Sequence, residues 1–364
     1  MARSGRRCCG HAGLQINDMK QTFRTLACVV AFVLATAGAR ATCFYFTQEH
    51  ADLLCLEWNA ASNSLTLEAS DDTHGMLYAS NQCVVVCPES MKFTLPSGTP
   101  LGNVGDYLWI LPQNAYTGVP YVGMSAEDIS AGDFGDPFTI QLTRVEGPGQ
   151  FILWQAGSFG SFDVKMDSRD GIDTNDSLTI PTGGHAHYNW GFTTNGLYRL
   201  YFQASSRLSG QTTNILTPET PFTFHIQPLW PVEIWAATNW PCECGSNLVA
   251  NGADPDGDGL VNLLEYAFGN DPNLALRTNL PTVTFVEVGG TNYGALRYLR
   301  ATNATDLTFE VMGADTPALL NETLTNATGS LTNGGLEIVT VRDSLSMGQA
   351  TNRFYQLRVR LSQP

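Results

Sequence analysis

The chain has 364 residues, room for two or three domains, and 43% of them are hydrophobic, sufficient for a sizeable core. Only 15% are charged, and 34 acids face 19 bases, a formal charge of −15. That balance argues against nucleic acid as a partner, and the abundance of Gly, Thr, Asn and Ser argues for exported, loop-rich β modules over a cytosolic helical enzyme.

Residues 1–41 read as a signal peptide. Lys20 and Arg24 form a basic n-region, LACVVAFVLATA (26–37) is the apolar run, and ARA (39–41) supplies the small residues of a cleavage site. Met19 directly precedes the n-region and is the alternative start. The apolar run is too short to span a bilayer, and the residues before Cys28 and Cys43 fit a lipid-attachment motif poorly. The expectation is a secreted or cell-surface protein with no transmembrane segment in the mature chain. Cleavage removes six bases and one acid, leaving 13 bases, 33 acids and a charge of −20. Such a surface attracts divalent cations.

The mature segment carries six cysteines: Cys43, Cys55, Cys83, Cys87, Cys242 and Cys244. An even number in an exported chain predicts disulfides, but spacing does not select the pairing. Cys242 and Cys244 are too close in sequence to bond each other without strain. A zinc knuckle is the alternative, and the CxxC pairs it needs are missing.

From 42 to 227, short alternating runs recur between turn signals. SLTLEAS (64–70), DYLWIL (106–111), PFTIQLTRV (137–145), QFILWQA (150–156), SLTI (177–180), LYRLYFQAS (197–205) and PFTFHI (221–226) predict strands, and their density predicts a β-sandwich. SAEDIS (125–130) reads as one helical turn. PLWPVEIWAATNW (228–240) opens a connector that extends to 275. From 276 to 364, PTVTFVEV, GALRYLR, LTFEVMG, GLEIVTVRD and RFYQLRVRL predict a small C-terminal β-domain. The fold class is therefore mainly β: a sandwich, a short calcium-loop and helix connector, and a second β-domain.

Within the connector, DPDGDGLVNLLE (254–265) fills the EF-hand loop template. Asp254, Asp256 and Asp258 take positions one, three and five, and Gly259 makes the sharp turn at six. Leu260 offers its backbone carbonyl, Asn262 its side chain, and Glu265 a bidentate carboxylate. Alternate residues point oxygens inward, which is what a hard cation requires, so the expected cofactor is a structural Ca2+. The helix expected over 261–268 offers Leu263, Leu264, Tyr266 and Phe268 for packing.

The stretch GGHAHYNWGF (183–192) holds two of the six histidines. Read as one strand, it puts His185, His187 and Asn189 on one face and Ala186, Tyr188 and Trp190 on the other. The two imidazoles stand about 6–7 Å apart along such a strand, within reach of one metal. A hydrogen-bonded polar face is the preferred reading, and a transition-metal site, for Zn2+ or a similar ion, is the alternative.

EHADLLCLEWNAASNSLTLEAS (49–70), WILPQ (109–113), VGMSAEDI (122–129), GPGQFILWQAGSFG (147–160), DGI (170–172) and GGHAHYNWGFTTNGLYRLYFQAS (183–205) together resemble the bacterial choice-of-anchor M domain, also described as a surface-anchored protein domain. The resemblance covers roughly 45–205 and implies an exported or wall-attached protein, in some cases beside metal-uptake systems. His50 and Asp52 keep the family's early His-x-Asp, while its second His-x-His is replaced by Thr66 and Glu68. His50, Asp52 and Glu68 are the candidates for a third ligand beside His185 and His187.

No GxSxG, HExxH, P-loop or dinucleotide motif is present. Acidic pairs such as Asp71–Asp72 read as solvated turns. The expectation is a non-catalytic, exported binding or structural protein whose partner is a cell-envelope component, a glycan or a protein. The alternative is a secreted carbohydrate-active hydrolase, or a carbohydrate-binding face built from Trp58, Trp109, Trp154 or Trp190.

Overall fold

The computed structural model describes residues 43–157, 160–242, 247–331, 334–350 and 352–362. The signal-peptide reading of 1–41 and any partner of Cys244 lie outside the described residues. The chain is mainly β, and each alternating run predicted as a strand in 42–227 and 276–364 lies in one, whereas 183–192 is split between two.

Three sheets are built from residues 44–226. The largest has the order Phe44–Phe46, Cys83–Cys87, Thr220–Ile226, Gly196–Arg207, Phe138–Glu146, Ser177–Ile180, with Asn214–Leu216 beside Gly196–Arg207. The second runs Phe162–Asp167, Phe151–Ala156, Asn189–Phe192, Tyr107–Leu111, Lys92–Thr94. The third runs His185–His187, Tyr121–Ser125, His50–Asn59, Ser64–Asp71, Met76–Tyr78. One core is common to all three: Phe202 and Phe224 come from the first, Trp190 and Phe192 from the second, Leu54 and Met124 from the third. Burying each of these side chains is worth about 2–3 kcal/mol, which is why the alternating runs dictate the layering.

Several strands escaped the periodicity, and three of them for one physical reason. HADLLCLEWN, CVVVC and YVGMS are buried on both faces, so their sequences do not alternate. SAEDIS is no helix: Ser125 ends a strand, and a turn closes by Ile129 N–H donating to the Ala126 carbonyl at 3.3 Å. The Trp- and Pro-rich connector does contain a helix, α1 (Pro231–Asn239), with Pro231 in its first turn, where no N–H is needed. Glu233 accepts from Trp230 N at 2.8 Å and from Leu197 N at 3.2 Å, tying α1 to the largest sheet.

The predicted calcium-loop helix is α2 (Asn262–Phe268). Beyond it lie a four-stranded sheet, Thr282–Val288, Thr291–Ala301, Leu336–Ser346, Asn326–Leu331, and a three-stranded one, Glu322–Leu324, Leu307–Ala314, Phe354–Leu361. Leu296, Tyr298, Val311 and Val339 form their own small core. Here Arg353, 9% exposed, pairs with fully buried Asp343 at 2.6 Å and with Glu322 at 2.7 Å.

One disulfide, Cys43–Cys242, takes the place of the expected multi-bond framework among the described residues. It joins positions 199 apart in sequence, with 5.7 Å between the Cα atoms, and fastens the start of the first sheet to the end of α1. Cys55, Cys83 and Cys87 are free and buried. Cys83 and Cys87 end one strand, about 13 Å apart at strand rise, too far to bond each other.

Candidate metal centre

The third sheet decides where the histidines go. Tyr121–Ser125 is its second strand, parallel to His50–Asn59 on one side and antiparallel to His185–His187 on the other. The register puts Asp52 and His187 both opposite Gly123, His50 opposite Tyr121, and His185 opposite Ser125. Residues two apart share a face, so two histidines from one neighbour, and a histidine and an aspartate from the other, project over the same spot.

Gly123 makes the convergence possible. A Cβ there would fall on Asp52 Oδ1 and lie 2.7 Å from His187 Cε1 and 3.1 Å from His185 Nε2. A glycine inside a strand often marks such a close approach. Four ligand atoms, one each from His50, Asp52, His185 and His187, lie within 4.8 Å of one another. His50 Nε2 is 3.1 Å from His187 Nε2, and His185 Nε2 is 2.8 Å from Asp52 Oδ1.

The surroundings favour neutral, oriented ligands. Burial pushes the His187 imidazole down to about 4, helped by the nearby His185 and His50. Its ring stacks on Tyr121 at 3.6 Å between centroids. His187 Nδ1 is buried with no hydrogen-bond partner, and Nε2 faces the cluster, 3.1 Å from His50 Nε2. Asp52 is 2% exposed; burial raises its carboxyl above the usual range, and the His185 charge and hydrogen bond oppose the rise. Outside the four, Asp72 Oδ2 lies 3.3 Å from His50 Nδ1, and Glu127 Oε2 lies 4.0 Å from His185 Nδ1.

Of the sequence-predicted ligands, His50, Asp52, His185 and His187 meet, and Glu68 does not. Glu68 pairs across from Cys55, three positions beyond Asp52 on the neighbouring strand, and accepts from Thr66 Oγ1 at 3.4 Å. Cys55, Glu57 and Asp128 form another close group, but burial and Glu57 raise the Cys55 thiol far above its ordinary range, keeping it protonated. The single-strand reading of 183–192 is corrected. The chain changes sheets at Tyr188, so Asn189 leaves the histidine face and instead donates to Gln113 Oε1 at 2.8 Å and accepts from Gln113 N at 3.0 Å. The histidine face is a cluster of three imidazoles and a buried carboxylate at hydrogen-bond distance, an arrangement common to the polar-network and the transition-metal readings. Gly123 and Tyr121 went unnoticed in the sequence, where Asp72 reads only as part of a solvated turn. Only the glycine inside a strand-like run carried a signal.

Asp71 and Asp72 are not a solvated pair. Asp71 is fully buried and accepts from Thr73 N, His74 N and His74 Nδ1. The tryptophan face proposed for carbohydrate is also lost: Trp109, Trp154 and Trp190 are at most 4% exposed, and Trp58 packs against the core.

In the acidic loop, Asp254, Asp256 and Asp258 bring ligand atoms within 4.8 Å of one another. Gly259, at φ +89°, makes the turn the template requires of it. Burial, then the charges of Asp256, Asp258 and Asp254, raise the Glu265 carboxyl to about 7.

No protein-family model matches the chain, and no curated protein matches it; nothing in these comparisons identifies a choice-of-anchor M domain.

Proposed function

We propose that this is an exported, non-catalytic protein that binds a divalent transition metal, zinc or copper, through His50, Asp52, His185 and His187. The observation that carries the reading is the gathering of three imidazoles and a buried carboxylate over a glycine, with ligand atoms within 4.8 Å. Nitrogen-rich donors suit zinc or copper rather than calcium or magnesium. Four protein ligands complete a tetrahedral shell, which leaves no position for a reacting water and favours holding an ion over hydrolysis. The His50 and His185 side chains are 31% and 26% exposed, so an ion has a route in and out.

Export is supported by the leader sequence and by the Cys43–Cys242 bond, a linkage that persists in oxidising compartments. Placement at the cell envelope rests on the resemblance to the choice-of-anchor M domain. The mature protein, secreted, stripped with chelator and titrated with zinc against a chromophoric competitor, is expected to take one equivalent at this centre. His187→Ala and Asp52→Asn should each weaken binding by about 100-fold or more, beyond the cost of losing an outer-shell partner. Equal, weak binding by wild type and His187→Ala overturns the reading. Sequencing of the secreted protein should begin at Thr42, and an intact Met1 or Met19 end counts against export.

A further inference from the structure

We infer that the Asp254–Glu265 loop binds one calcium ion, and that the ion fixes α2 where it joins α1 to the C-terminal sheets. The first argument is a set of buried oxygens with no donor. Asp256 Oδ1 accepts from Asp258 N at 3.2 Å, and Asp258 Oδ1 accepts from Leu260 N at 2.7 Å, so each carboxylate spends one oxygen on the loop's own shape. The other oxygen of each is buried and unpartnered. Asn262 donates through Nδ2 to the carbonyls of Leu248 at 2.7 Å and Ala250 at 3.0 Å, which pins the amide and leaves its buried Oδ1 unpartnered. Glu265 is 0% exposed, and neither of its oxygens has a hydrogen-bond partner.

Buried acceptors in folded proteins are nearly always satisfied, and buried charges are paired or bind a metal. These five oxygens belong to residues at template positions of a calcium loop, and they offer neither nitrogen nor sulfur. A hard cation answers all of them at once, and the donor set separates this site from the histidine centre.

The second argument is what α2 touches. Tyr266, next to Glu265, is 1% exposed and donates its hydroxyl to Asp306 Oδ1 at 2.6 Å. Asp306 Oδ2 accepts from Val232 N at 2.9 Å, at the start of α1. Val232, Tyr266, Ala301 and Ala304 share one small core. A single turn of α2 therefore carries a calcium ligand and, beside it, the residue that ties α1 to the C-terminal strands.

The test uses the full mature chain, chelator-stripped and titrated with calcium chloride by calorimetry. One site is expected, with Glu265→Gln weaker by about 50-fold or more, as loss of the bidentate ligand implies. The thermal transition should rise with the logarithm of free calcium. Protease cleavage between 240 and 280 should be about 10-fold slower in calcium than in chelator, as expected when a ligand closes a local opening. His187→Ala should keep all of these responses, which separates this site from the transition-metal reading. Asp256→Asn serves as a second variant if Glu265→Gln does not fold. Absence of calcium heat, or wild-type affinity in both variants, overturns the site. Calcium binding with unchanged cleavage overturns the joint role.

Discussion

The histidine centre and the acidic loop are built in opposite ways. The loop draws its ligands from twelve consecutive residues, whereas the centre joins residues as far as 137 positions apart, on two strands that flank a third. They also differ in what they leave unmet. His50 contacts His187 and His185 contacts Asp52 at hydrogen-bond distance, so the centre largely satisfies itself. The loop leaves five buried oxygens without a donor. A self-satisfied cluster persists as a polar network when stripped of an ion, whereas an unsatisfied one gives up stability. Convergence therefore marks the first site, and deficit marks the second.

The comparison breaks if burial alone decides what a histidine does. His225 is the control: it is 4% exposed, its Nε2 has no partner, and its ring meets the edge of Tyr45. Burial lowers it to about 4 from 6.5, as it does His187. The unfolded chain takes up a proton near 6.5 and the native one only near 4, so stability held above 6.5 is lost as the pH falls toward 4. The loss should reach about 3 kcal/mol for His225. Urea unfolding across that range should show a shallower pH dependence in His225→Phe, with zinc affinity at neutral pH unchanged. Equal slopes would remove His225 as the source.

The next effect is on affinity. Gly123→Ala changes no ligand, yet its Cβ falls on Asp52 Oδ1 and crowds both facing histidines. Zinc binding should weaken by about 100-fold, close to 2.7 kcal/mol, while calcium binding stays at the wild-type value. Full zinc affinity in this variant would mean that the four side chains do not need to converge.

The two sites were legible to different degrees for the same physical reason. The loop's geometry is local, so Asp254, Gly259 and Glu265 could be placed by counting. The His-x-His and His-x-Asp pairs each suggested two ligands on one strand face, because a strand's period is local too. What brings the pairs together is register, and register depends on YVGMS, a strand buried on both faces whose sequence does not alternate. Glu68 shows the limit: its spacing from Thr66 echoes the pattern, but its strand lies on the far side of His50–Asn59 from the histidine strand. The change of sheets at Tyr188 was hidden for a related reason, since the inward-facing aromatics continue across it and keep the alternation unbroken.

The smallest effect sharpens the contrast between ligand and support. Asp72 Oδ2 lies 3.3 Å from His50 Nδ1, and its own position is set by Ser70 Oγ donating to Oδ1 at 2.8 Å and by Asp72 N–H donating to the His50 carbonyl at 3.0 Å. A carboxylate there accepts the Nδ1 proton and leaves the His50 Nε2 lone pair toward the centre. Asp72 is 38% exposed, so water competes for the same proton and the support is weaker than a buried partner gives. Asp72→Ala should weaken zinc binding by about 10-fold, the low end for an outer-shell partner. Asp72→Asn keeps an acceptor and loses only the charge, so its smaller deficit should shrink further at high salt. Glu68→Ala, off the centre, should change nothing. Unaltered affinity in Asp72→Ala would assign the orientation of His50 to its strand and to Tyr121, whose ring centroid lies 5.0 Å from that of His50.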